Sequence, residues 1–103
     1  MYLIQILLPL SDNNNKPFDA KLFLDIQHTL TEIFGGLTAF KQSPAEGLWK
    51  EKQDGKTIHD DIIIFEVLTE NLDKSWWQDY KKKIEKTFKQ DEIIIRAQTV
   101  ILL

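Results

Sequence analysis

Apolar positions along the chain change period several times, and each change marks an element. Tyr2 to Leu8 is a nearly continuous apolar run rich in β-formers and closed by Pro9, the pattern of a strand covered on both faces. Ser11 to Pro17 is a cluster of turn formers with no apolar anchor, so an exposed, mobile loop is expected there, with disorder more expected than anywhere else in the chain. Asp19 then suits a helix N-cap, with Phe18 and Phe23 spaced as a hydrophobic staple. Leu22, Ile26, Leu30 and Ile33 recur at helical spacing, Phe23 and Phe34 widen the stripe, and Gly35-Gly36 supplies a left-handed end after about Phe34.

The second half repeats the logic. Leu37 to Gln42 reads as a strand that Pro44 to Gly47 interrupts and Leu48 to Lys50 resumes. Asp54-Gly55 is a hairpin signal leading into a strand over Ile58 to Leu68. Asp73 is a second N-cap, with Leu72 and Trp77 as its staple, and Trp77, Tyr80, Ile84 and Phe88 form the stripe of a second helix. Lysines load the later turns of that helix, where the helix dipole favours positive charge, and Ile93 to Leu102 closes the chain as a last strand.

The order β-α-β-β-α-β over residues 1–103, with right-handed crossovers, predicts a single α+β domain: a four-stranded antiparallel sheet with both helices on one face. This order resembles the ferredoxin-like plait and, within it, the dimeric α/β-barrel superfamily, whose members pair sheet to sheet. The resemblance covers the whole chain and rests on the order of elements, not on a motif. It implies a homodimer and, as one functional expectation, a cofactor-independent enzyme such as a monooxygenase or isomerase acting on a small aromatic or acidic metabolite.

Strand alternation separates the two sheet faces. Tyr2, Ile4, Ile6 and Leu8, with Ile63, Phe65, Val67, Ile93, Ile95 and Ala97, are uniformly apolar and are assigned to the helix-covered core. The opposite face carries Leu3, Leu7, Ile62, Ile64, Leu68, Ile94 and Val100, more contiguous apolar surface than a monomer normally leaves bare. A second copy of the chain is the expected cover, because two-fold homodimers are the commonest oligomers and their interfaces are apolar.

Composition narrows the field. A chain of 103 residues, 43% hydrophobic, has room for one modest core, and 13 basic against 16 acidic residues lacks the basicity of a nucleic-acid binder. Zero cysteines exclude disulfides, thiolate metal sites and a Cys nucleophile. Leu3 to Leu10 is too short to span a bilayer and lacks the lead-in of a secretory signal, so a cytoplasmic protein with no membrane partner is expected. No Gly-rich phosphate loop or paired metal-ligand motif occurs, and no cofactor is expected.

Polar residues set in the open apolar face are the candidates for chemistry. Gln5, Glu66, Arg96 and Gln98 fall near the middles of three strands that neighbour one another in the order 4-1-3-2. Arg96 is the only arginine among 13 basic residues, and its planar fork suits a carboxylate in a partly buried place. One reading is a polar site in which Arg96 binds an acidic ligand group and Glu66 acts as base. The simpler and preferred reading is a satisfied Arg96 to Glu66 pair that fixes dimer register. His59, in His59-Asp60-Asp61, could share an ion only with Asp61, since adjacent strand residues face opposite ways, and no metal site is assigned. His28 falls on the solvent side of the first helix. Trp49, beside the Pro44 to Gly47 break, could meet an aromatic ligand or a partner, though a cross-strand packing role is simpler. Two functions follow: a small homo-oligomeric binding or assembly module, and the alternative of a small-molecule enzyme with its site near Arg96 and Glu66.

Overall fold

The computed structural model describes residues 1–42 and 61–103. Within them lie β1 (Tyr2–Pro9), α1 (Ala20–Phe34), β2 (Thr38–Gln42), β3 (Ile62–Thr69), α2 (Lys74–Thr87) and β4 (Ile94–Thr99). The strands form one sheet in the order β2-β3-β1-β4, every neighbouring pair antiparallel. This is the expected ferredoxin-like α+β sandwich. The Pro44 to Gly47 break, the Leu48 to Lys50 continuation, the Asp54-Gly55 hairpin and residues 58–60 of the expected third strand lie outside the described residues.

Burial follows the alternation read from the sequence except at Ile64, which stands on the face expected to be open and is only 7% exposed. Ile4, Ile6 and Leu8 of β1, Ile63, Phe65 and Val67 of β3, and Ile93 just before β4 are buried against Ile26 and Leu30 of α1 and Trp77, Tyr80, Ile84 and Phe88 at α2. Tyr2 is only half-buried, Ile95 packs on this core from its edge, and Ala97 is exposed, because β4 ends the sheet and α2 does not reach over its far end. Two aromatic clusters clamp the helices together. Phe18 and Phe23 meet Phe88 edge-on at 4.9 and 5.4 Å, while at the opposite ends of the helices Phe34 stacks on Trp77 at 5.3 Å and Trp76 stacks on Tyr80 at 4.9 Å.

The caps fall where the sequence places them. The Asp19 carboxylate accepts from the Lys21 N–H, the Asp73 carboxylate accepts from the Trp76 N–H, and Gly35 ends α1 at φ +80°, donating to the Thr31 carbonyl. Three further expectations are adjusted. Residues 13–17 are exposed as expected, but 11–17 form a hydrogen-bonded turn, in which Asp12 Oδ1 accepts from the N–H groups of Asn14 and Lys16, and Ser11 pairs with Pro17. Ile33 is half exposed, at 52%, because the last turn of α1 directs Phe34 rather than Ile33 toward α2. β4 is shorter than Ile93 to Leu102. The Ile93 N–H donates to a Glu85 carboxylate oxygen, and the Val100 N–H donates to the carbonyl of Met1 outside the strand.

The fold shifts the protonation of Tyr80. Burial pushes its phenol above the ordinary value of about 10, the Asp25 carboxylate adds to the rise, and a hydrogen bond with Thr29 opposes it. The folded state therefore holds this proton more tightly than the unfolded chain does. Stability attributable to Tyr80 is intact below pH ~10 and declines as pH rises from there toward the folded-state value. In urea titrations, Tyr80→Phe is expected to show a smaller loss of stability than the wild type between pH 9 and 11. Phe88→Ala, which empties the meeting point of Phe18 and Phe23, is expected to cost about 3–5 kcal/mol in the same assay at pH 7.

Candidate functional site

The face of the sheet turned away from the helices is built in rows, because antiparallel register sets residues of neighbouring strands side by side. One row runs Thr38, Glu66, Gln5, Arg96 from the β2 edge to the β4 edge. The next runs Phe40, Ile64, Leu7, Ile94, and on the other side lie Leu68, Leu3 and Gln98. A polar row is thus flanked by apolar ones. Phe40, Leu68 and Ile94 are exposed at 45%, 44% and 49%, Leu3, Leu7 and Ile62 are half-buried, and Ile64 is buried.

Within the polar row the contacts are ordered. Arg96 Nε donates to Gln5 Oε1 at 2.7 Å, and Gln5 Nε2 donates to Glu66 Oε2 at 2.5 Å. The Arg96 to Glu66 pairing expected from sequence is therefore relayed through Gln5. The cause is topological: β1 lies between β3 and β4, so the two charged residues stand two strand spacings apart, roughly 9–10 Å. The central amide matches both neighbours, offering its oxygen to the cation and its N–H to the anion.

Of the other sequence candidates, Gln98 sits on the same face opposite Leu3, two residues along the strands from the Gln5 and Arg96 pair. It joins Leu3, Gln5, Arg96 and Ala97 around an open hollow of about 460 Å³. Trp49 and His59 lie outside the described residues. His28 is exposed, as its helical position implies. Two members of the face were missed from sequence. Thr38 and Phe40 enter it through the β2–β3 register, and no strand face was assigned to Leu37 to Gln42 because that register depends on the connection between the strands.

A second depression, of about 170 Å³, lies between α2 and β4, floored by Ile4, Trp77 and Ile95, with Lys74, Gln78 and Lys81 at its rim. Those three recur at i, i+4 and i+7, so helical spacing alone could have grouped them. Lys81 is paired with Glu92 at 3.1 Å and Glu85 at 3.8 Å, so its charge is balanced within its own surroundings. Among the described residues no group of three or more His, Cys, Asp or Glu side chains could hold a metal ion, and no helix is long and apolar enough to cross a membrane.

The architecture defines the class: a ferredoxin-like α+β domain with a four-stranded antiparallel sheet, one face of which no helix covers among the described residues. No family model and no curated protein matches the sequence. Among solved structures, a phage SAM lyase in complex with S-methyl-5'-thioadenosine is similar at a TM-score of 0.58 and 15% identity, over 94% of this chain and 79% of that one. CutA1 from Pyrococcus horikoshii OT3, carrying the mutation D60A, is similar at a TM-score of 0.57 and 14% identity, over 100% of this chain and 86% of that one. At such identities the likeness extends to the fold and to nothing of the chemistry.

Proposed function

We propose that the protein is a self-associating assembly module whose helix-free sheet face is the contact between two copies of the chain. The observation that carries this reading is the exposure of Phe40, Leu68 and Ile94 on one face, continuous with Leu3, Leu7 and Ile62. A stripe of that kind across three adjacent strands and the β2 edge is costly in water and inexpensive against another apolar sheet. Aligned packing of two such sheets is a standard way to bury it.

The alternative of a small-molecule enzyme at Arg96 and Glu66 finds less support. Both charged groups hydrogen-bond to the amide of Gln5, which lies in line with them on the same strand row. A catalytic pair would be aimed at a space between its members that a substrate could enter, and here a side chain fills that space. The Arg96 to Glu66 relay serves assembly instead, by giving the apolar face one polar row that must be matched.

Light scattering after size exclusion tests the reading. The wild type is expected to elute as a dimer, and Ile94→Glu, which places a charge on the exposed face without entering the core, is expected to elute as a monomer with an unchanged far-UV spectrum. A monomeric wild type at 100 µM or so, a concentration at which even weak specific dimers with micromolar constants are populated, would overturn it.

A further inference from the structure

Granted the sheet-to-sheet contact proposed above, we infer that the two copies pair about a two-fold axis running along the strands, which sets Arg96 of each copy against Glu66 of the partner subunit. The inference comes from the distribution of charge and apolar surface over the rows. A two-fold axis between two stacked sheets must lie in the plane of the interface. If it runs along the strands, position along each strand is unchanged by the rotation, so every row meets the same row of the other copy. The polar row Thr38, Glu66, Gln5, Arg96 then lies on a polar row, and Phe40, Ile64, Leu7, Ile94 lies on its apolar equivalent.

The same rotation exchanges left and right across the sheet, and here the order of charges decides. Glu66 stands on one side of β1 and Arg96 on the other. Reversal brings cation over anion twice, once at each symmetry-related position. This holds whether the axis passes through β1 or between β1 and β3, since the shift between them is one strand spacing, about 4.8 Å, within the reach of an arginine side chain.

An axis perpendicular to the strands does the opposite. Centred on the polar row, it lays Arg96 on its own symmetry copy and Glu66 on its own. Displaced along the strands, it lays the charged row on hydrocarbon, where a buried charge without a partner is costly. A diagonal axis crosses the rows and mixes charge with apolar surface in the same way. Only the strand-parallel axis satisfies both patterns. The groups involved have capacity left for the contact: Arg96 uses its Nε N–H on Gln5 and a guanidinium carries four more donors, while Glu66 has used one carboxylate oxygen on the Gln5 amide.

Charge reversal read in mixtures tests the axis. In R96E the interface would oppose two glutamates at each contact, and in E66R two arginines. Each variant alone is expected to dimerise roughly a hundredfold more weakly than the wild type, as like charges facing across an interface cost several kcal/mol. Mixed in equal amounts, the two variants are expected to form a heterodimer near wild-type affinity, seen by native mass spectrometry, and the double variant R96E/E66R is expected to recover the homodimer. Recovery on mixing separates this contact from the relay inside one chain, which a second molecule cannot restore. Single variants that dimerise like the wild type, or a mixture that stays monomeric, would overturn the axis while leaving the sheet contact standing. A monomeric wild type would instead overturn the sheet contact itself, so the two failures are told apart on different proteins.

Discussion

Side-chain alternation along the central strand β1 governs both halves of the molecule, because β1 is hydrogen-bonded on both sides and can turn only one set of residues toward the helices. Ile4, Ile6 and Leu8 go inward and are fully buried, which leaves Leu3, Gln5 and Leu7 to the other face. A slip of one residue in register would put Gln5 in the core and expose three isoleucine or leucine side chains. The neighbouring strands are bound to the same choice: Phe65 lies opposite Ile6 inside, and Glu66 and Arg96 lie opposite Gln5 outside. The hydrophobic core and the candidate interface are thus two consequences of one register.

Much of this was legible in the sequence because it rests on short-range patterns. Both N-caps, the glycine end of α1, the stripe of α2 and the inward sets of β1 and β3 follow from local spacing and from elementary capping chemistry. The failures share a different cause. Helical period alone points Ile33 inward, but the roll of a helix about its axis is set by what it packs on, and Phe34 stacks on Trp77. The turn at residues 11–17 has no apolar anchor, yet one aspartate that can accept from two backbone N–H groups is enough to order it. The length of β4 depends on where its partner strand stops, which the residues of β4 do not encode.

The site was half legible for the same reason. Gln5, Glu66 and Arg96 could be placed on one face by alternation, and strand order brought them near each other. Contact between Arg96 and Glu66 was inferred from chemical affinity, which ignores the intervening strand. Strand order taken as a distance, with one spacing of about 4.8 Å per step, would have put Gln5 between them from the outset. Thr38 and Phe40 escaped because their row depends on pairing between β2 and β3, a non-local quantity.

In the proposed sheet contact a polar row in the middle of an apolar face would weaken the pairing, since Gln5, Glu66 and Arg96 would give up solvation that leucines would not. Its compensation is uniqueness. Apolar rows alone would let two sheets slide along the strands or rotate by ninety degrees with little change in buried area, and such a face would pair in several ways or aggregate. One row carrying a cation on one side of β1 and an anion on the other penalises each alternative, because sliding places charge on hydrocarbon and inversion places like on like. The relay through Gln5 would sharpen that penalty, because it holds both charged side chains in line with the row before any such contact forms, leaving them little further freedom to lose on pairing.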